Sequence, residues 1–396
     1  MDIYKEALHL HEHLRGKIKI TSKFDVRTKE DLALVYSPGV AEPCREIAKD
    51  PSKVWDYTIK SNTVAIVSDG SAVLGLGNIG PSAAIPVMEG KSMLFKKFAA
   101  IDAFPICLDT QDADEIVRTV KNLAPVFGGI NLEDIAAPRS FEIEERLQNI
   151  GIPVFHDDQH GTAIVVLAGL INAAKVTGKA LTDLKIVING AGAAGIAIAK
   201  LLLCVDHKND QFCTPVKEII LCDSKGIIHK DRSDLNDRKR NTLGFTNPNN
   251  MKGSVHDAIK GADVFIGVSV GDLLKAGHIE TMAPDSIVFA LSNPSPEIMP
   301  EEAYKGGAAI VGTGRSDLPN QINNVLGFPG IFRGALDARA KTISPAMKIA
   351  AAHAIAACTG DLNRNKIIPS SLNEAVGYRV AKAVYNAAIA EGNGIK

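Results

Sequence analysis

The run Lys185-Ile-Val-Ile-Asn189, followed at once by Gly190-Ala-Gly-Ala-Ala-Gly195, constrains this chain more than any other stretch. A short apolar run, three glycines at G-x-G-x-x-G spacing, and a small-and-apolar run from Ile196 to Leu203 predict strand, tight turn and helix. In that arrangement the first glycine makes the turn, the second lets a pyrophosphate approach the backbone, and the third lets helix pack on strand. The helix N-terminus then presents amides and a positive dipole to an anion. Glu218–Cys222 predicts the next strand, and Asp223 closes it where a carboxylate can bond a ribose hydroxyl. The interval is longer than the usual roughly 20 residues, which the polar insert Asp206–Pro215 explains. Gly190, Gly192, Ala193, Ala194, Gly195 and Asp223 are therefore the cofactor-binding candidates. The competing reading is a helix–strand crossing that needs glycines and no ligand.

Around this unit, strands and helices alternate. Thr63–Ser68, Ala103–Leu108, Gly129–Leu132 and Pro153–Phe155 predict strands in the first half, and Asp263–Ser269, Ser286–Ser292 and Ala308–Gly312 continue the second. Such alternation argues for α/β architecture with a parallel, doubly wound sheet. At 396 residues the chain is too long for one ordinary core. We expect an N-terminal α/β metal and substrate domain over residues 1–160. A Rossmann-type dinucleotide domain then fills 161–396, with Ala-rich C-terminal helices packing back over both. A net charge of −1 gives no reason to expect nucleic acid or an anionic membrane as partner. The six cysteines include no C-x-x-C pair, so neither a zinc ribbon nor a disulfide framework is indicated. No signal peptide or transmembrane run is evident, and a cytoplasmic setting is expected.

A second match, Gly75-Leu-Gly-Asn-Ile-Gly80, lacks the context of the first. Pro81 and Pro86 interrupt the helix expected after it, and no acidic strand end follows at suitable spacing. It reads as a tight loop against a ligand or another backbone. Four other pieces suggest chemistry: Tyr36 in Tyr36-Ser-Pro-Gly, Lys91 on an otherwise small and apolar helix, Glu133-Asp134 after one strand, and Asp157-Asp158 after another. Taken singly, a turn tyrosine, a helix lysine and adjacent acids are ordinarily packing and surface charge. Taken together, three carboxylates at strand ends suit Mg²⁺ or Mn²⁺ with positions left for substrate. His156 and His160 raise a zinc alternative at i, i+4 spacing, which needs a helix that Gly161 makes doubtful.

At these residues the sequence resembles the malic enzymes of the compact microbial type. The resemblance runs through Tyr36-Ser-Pro-Gly-Val-Ala, Leu74–Gly80, Glu89-Gly-Lys91, Glu133-Asp134, His156–Thr162, Gly190–Gly195, Ser292-Asn-Pro294 and Asn320–Asn324. It implies oxidative decarboxylation of L-malate to pyruvate and CO₂ with reduction of NADP or NAD. It further implies Mg²⁺ or Mn²⁺ on Glu133, Asp134 and Asp158. Lys91, held neutral by desolvation and metal charge, would be the base, and Tyr36 the acid that protonates the enolate. Asn293, Asn323 and Asn324 would meet the substrate carboxylates and the nicotinamide. A homodimer acting on a small molecule is also implied. One departure is clear: where the animal type carries a carboxylate-gripping arginine, this chain has Ala72-Val73, and backbone amides of the Gly75–Gly80 loop are the alternative clamp. Asp223 alone favours NAD, whereas Lys225 and Arg238-Lys239-Arg240 could supply a phosphate pocket, and the balance leans to NADP. An amino-acid dehydrogenase and a non-catalytic NAD(P) sensor are the rival readings.

Overall fold

Val64, Ala65, Ile66 and Val67 are buried on both faces, as a central parallel strand requires. They belong to β1 (Thr63–Ser68), which pairs in parallel with β2 (Asp102–Cys107) and β3 (Gly129–Leu132), while β3 pairs with β4 (Val154–His156). The order β2-β1-β3-β4 puts the C-terminal ends of β3 and β4 side by side, with Leu132 opposite His156. The computed structural model describes residues 2–205 and 213–395. Most of the polar insert, residues 206–212, lies outside that range.

The second sheet contains β5 (Lys185–Asn189), β6 (Glu218–Asp223), β7 (Gly226–Ile227), β8 (Val264–Gly267), β9 (Ile287–Ala290) and β10 (Ile310–Thr313). Its order is β10-β9-β8-β5-β6-β7, parallel except for the short β7. The chain begins at β5, winds outward one way, then returns to β8 and winds the other. That is the doubly wound arrangement, and its switch point between β5 and β8 opens a crevice at the strand ends.

Helix Thr162–Thr177 joins the two sheets and is buried continuously from Ala163 to Ala174. An all-round apolar helix belongs inside a protein, and its residues share one core with β1, β5 and the C-terminal helices. With the turn before it, Asp157–Thr177 is the one stretch among the described residues long and apolar enough to cross a membrane, and 72% of the window is buried in the fold. Helices Phe328–Asp337 and Glu374–Ala390 pack back onto helix Pro81–Ala99, where Phe95 meets Phe328 and Phe332, while Pro345–Ala357 packs on Thr162–Thr177 and Glu374–Ala390.

Two expectations need correction. Helix Pro81–Ala99 starts at Pro81 itself, because proline at the first position forfeits only an amide that has no intrahelical partner. Pro86 is accommodated inside it, and the Pro86 carbonyl accepts from Lys17 Nζ at 2.6 Å. The N-terminal helix is Ile3–Leu14, and it buries none of its residues. Finally, Cys204 and Cys213 form a disulfide, although no motif announced one; Cys44, Cys107, Cys222 and Cys358 are free thiols.

Candidate active site

Strand ends create this site. Glu133 and Asp134 follow β3, and Asp157 and Asp158 follow β4, so four carboxylates arrive at one edge of the first sheet. Asp157–Gly161 forms a single π-helical turn that leads into helix Thr162–Thr177. Such turns carry one extra residue per turn and often occur at functional sites. Gly161 is required there: a Cβ at that position would lie 1.8 Å from Asp157 Oδ1. Ligand atoms of Glu133, Asp134 and Asp158 all fall within 4.8 Å of one another. The Asp134 amide donates to Asp158 Oδ2 at 2.9 Å, and Asn131 Nδ2 donates to Glu133 Oε2 at 2.8 Å. Glu133 and Asp134 are buried, whereas the Asp158 side chain is 37% exposed.

Lys91 comes from helix Pro81–Ala99 into the middle of these acids. Its ammonium donates to Glu133 Oε1 at 2.5 Å and to Asp157 Oδ2, and it sits 4.4 Å from the centroid of the Phe328 ring. Asn324 Nδ2 donates to the same Asp157 oxygen. Burial alone would lower the Lys91 pKa, but Asp157, Glu133 and Asp158 outweigh it and hold the ammonium well above its ordinary range. The lysine expected to be neutral is therefore charged in this arrangement, because its neighbours are anions. Burial pushes Asp157 up to about 7 despite Lys91, and raises Glu133 and Asp158 as well. Glu133, Asp157 and Asp158 against one lysine leave a surplus of negative charge in a largely dry site. Hard oxygen donors in that number fit a divalent cation such as Mg²⁺ or Mn²⁺. The zinc alternative fails: His160 Nε2 is engaged by Glu144 at 2.9 Å, and neither histidine joins the ligand cluster among the described residues.

The two glycine loops have different partners. Around the second, a Cβ on Gly190 would lie 2.6 Å from the Val268 carbonyl, and one on Gly195 would lie 1.8 Å from the Gly190 carbonyl. At Gly192 the same atom would meet nothing within 4 Å, which leaves open backbone for a ligand. Ala193 and Ala194 begin helix Ala193–Leu202, with Gly192 at its N-cap. Gly190, Gly192, Ile196, Asp223, Lys225, Arg238, Lys239 and Ser269 line a cleft of about 790 Å³. The first loop packs on backbone instead: a Cβ on Gly75 would lie 2.7 Å from the Asn293 carbonyl. Its amides at Leu76, Ile79 and Gly80 are bonded to Val73 and Gly70 carbonyls, so they are not available as a carboxylate clamp.

Other expected residues fare unequally. Asn324 reaches the acid cluster through Asp157. Asn293 stands exposed on the loop after β9, beside Gly75. Asn323 is not brought to the cluster by its side-chain oxygen, which caps the following turn by accepting from the Val325 amide at 2.9 Å. Tyr36 lies at the end of helix Lys29–Val35 with 68% of its surface exposed, and no hydrogen bond ties it to the buried Lys91. Asp157 is absent from the ligand set read from the sequence, yet it accepts directly from Lys91. The signal was Gly161, four residues on, the one residue that leaves room for a buried Asp157 carboxylate. Sequence reasoning also missed Glu297, fully buried, whose carboxylate accepts from the Ser269 and Ser292 amides and so ties together the loops after β8 and β9.

Comparison with known proteins agrees with this geometry. Residues 15–148 match the malic enzyme N-terminal domain, and residues 159–389 match the malic enzyme NAD-binding domain. The chain is 57% identical over 396 residues to a bifunctional malic/malolactic enzyme of Bacillus subtilis, covering 99% of this chain and 94% of that protein. It is also 57% identical to an NAD-dependent malic enzyme of Geobacillus stearothermophilus, covering 96% and 78%. An NADP-dependent malic enzyme of Rhizobium meliloti shares 51% identity over 89% of this chain and 45% of its own. The crystal structure of malic enzyme from Pyrococcus horikoshii superimposes with a TM-score of 0.93 at 50% identity, covering 99% and 92%. The chain therefore belongs to the malic enzyme family, whose members oxidatively decarboxylate malate with NAD or NADP.

Proposed function

We propose that this enzyme oxidises L-malate to pyruvate and CO₂ with Mg²⁺ or Mn²⁺ held by Glu133, Asp134 and Asp158, and with NADP favoured over NAD. The observation that carries the metal assignment is the convergence of those three carboxylates within 4.8 Å beside a single lysine. A cation bound there supplies Lewis-acid charge for both oxidation and decarboxylation. The cleft at Gly190–Gly195 would hold the nicotinamide cofactor, which would supply the hydride acceptor.

The residues of this chain do the rest. Lys91 orients the C2 hydroxyl: its ammonium gives one proton to Asp157, whose carboxyl is pushed up to about 7 and so accepts it near neutrality, and the neutral amine so formed takes the hydroxyl proton. With Glu133 and Asp158 engaged by a cation, Asp157 becomes the acid that governs Lys91. Asn324 donates to the same Asp157 oxygen as Lys91, and Asn324 and Asn293 offer amide donors to the substrate. Asn323 shapes the same turn and presents its remaining amide group. The Gly190–Gly195 turn takes the pyrophosphate, with Asp223 and its cationic neighbours at the adenosine end.

Tyr36 acts as the acid from a second copy in a homodimer. Its exposure, together with that of Tyr4, Leu8, Leu14, Leu34 and Val40, leaves an apolar N-terminal segment uncovered in the single chain. A boundary near residue 160 divides substrate and dinucleotide domains at the seam that carries the metal ligands. A cytoplasmic setting is proposed on the four free thiols, against which the one Cys204–Cys213 bridge stands. The test is a malate-plus-NADP assay with and without Mn²⁺, reading pyruvate and NADPH together. Metal-dependent formation of both is expected. Turnover unaffected by a chelator would overturn the metal assignment, and a strong NAD preference would overturn the NADP lean.

A further inference from the structure

Asp223 ends β6, where a free carboxylate would bond the ribose hydroxyls of NAD and repel the 2′-phosphate of NADP. It is not free here. Arg232 donates to both its oxygens, Nη1 to Oδ1 at 2.8 Å and Nη2 to Oδ2 at 3.1 Å, and Lys239 Nζ donates to Oδ2 at 2.6 Å. The Lys225 amide adds a bond to Oδ1 at 3.0 Å. Arg232 is itself held on its far side by Asp234, through Nε at 3.0 Å and Nη2 at 2.9 Å, and Asp234 is paired in turn with Lys225 at 2.9 Å. The result is an alternating chain, Lys239–Asp223–Arg232–Asp234–Lys225, in which three cations meet two anions. Burial would raise the Asp223 pKa, but the bonds from Arg232 and Lys239 win and keep it ionised. The side chains of Arg232 and Asp223 are almost wholly enclosed, while Lys225, Arg238 and Lys239 line the cleft.

We infer that Arg232 is a specificity-determining residue: by chelating Asp223 it cancels the carboxylate that would exclude a 2′-phosphate, and so presents a net positive adenosine pocket to phosphorylated dinucleotides. Arg232 acts through Asp223 and touches no ligand itself, which makes it a positioning residue. A bidentate guanidinium suits that task because both carboxylate oxygens are occupied by one rigid group. The inference rests on the cleft being the dinucleotide site, but it does not require that NADP be the better cofactor in absolute terms.

The test compares kcat/KM for NADP and NAD in the wild-type protein, in Arg232→Met, and in the double variant Arg232→Met/Asp223→Asn. Releasing the carboxylate should lower the NADP-to-NAD ratio by about tenfold or more. Neutralising it in the double variant should restore most of that ratio, a rescue that a merely structural role for Arg232 would not produce. Inhibition by adenosine 2′,5′-bisphosphate relative to AMP should weaken and recover in step. An Arg232→Met variant that loses both cofactors equally, or a ratio that Asp223→Asn fails to restore, overturns the inference. Should Arg232→Met not fold, Lys239→Met decides: the ratio must fall in the same direction by a smaller factor, and an unchanged ratio counts against the proposal. Absence of any malate turnover in the wild-type protein would instead indict the activity itself. A wild-type preference for NAD that deepens in Arg232→Met would refute the NADP lean while sustaining the role of Arg232.

Discussion

Two clusters of acids and bases sit at strand ends, and they solve opposite problems. After β3 and β4, Glu133, Asp157 and Asp158 stand around the ammonium of Lys91, with Asp134 beside Glu133 and Asp158. After β6, Asp223 is surrounded by Arg232 and Lys239, with Asp234 and Lys225 behind. Both use short, charge-assisted bonds, and both lie where parallel strands deliver side chains to a crevice. The first keeps a surplus of negative charge, which is why we propose a cation there. The second keeps a surplus of positive charge and is built to take an anion. Which residue stands at a strand end therefore says less about function than how its charge is balanced by neighbours from elsewhere in the chain.

Removing the minority charge of the first cluster should have the largest effect. Lys91→Ala should lower kcat for malate by about 10³- to 10⁴-fold, while fluorescence titration shows dinucleotide binding little altered. Near-normal turnover would remove Lys91 as base. Asp157→Asn comes next, with a loss on the order of 10²-fold in kcat. Because the folded pKa of Asp157 is raised to about 7, its carboxyl is protonated below that pH and accepts a proton only above it. The acidic limb of the wild-type pH–rate profile should therefore flatten in Asp157→Asn, and an unchanged limb would assign it to another group. Asp223, held below its ordinary value, contributes no such limb. Gly161→Ala probes the same carboxylate by steric means, since its Cβ would overlap Asp157 Oδ1. Overpacking of this kind costs about 1–3 kcal/mol, so denaturant unfolding should show that loss of stability with a raised malate KM. A neutral outcome would mean that Asp157 has room to turn aside.

Much of the fold was legible because local signals agreed. Strand, glycine turn and helix at Lys185–Leu203, and the acid at Asp223, came from periodicity and glycine spacing alone, and the structure deviates there only at element ends. Glu133, Asp134 and Asp158 could be grouped because each lies within three residues of the end of a predicted strand, and their ligand atoms do converge within 4.8 Å. What was not legible depends on distant partners. Nothing near Lys91 in sequence announces that Asp157, 66 residues on, holds it charged. Nothing near Asp223 announces that Arg232 turns it from a ribose acceptor into an anchor for cations. The Cys204–Cys213 bridge joins two cysteines without a recognisable motif. Tyr36 was placed correctly in a turn, but its wide exposure follows from tertiary packing that no local pattern encodes.

The central claim, that the acid surplus at the seam takes a divalent cation, is tested most directly by Mn²⁺ titration followed by electron paramagnetic resonance. It should be run on the wild-type protein and on Asp158→Asn, without substrate or cofactor. Asp158 is the least enclosed of the three ligands, so its amide variant should fold while losing at least about 100-fold in Mn²⁺ affinity. Equal affinity in the two proteins would contradict the account.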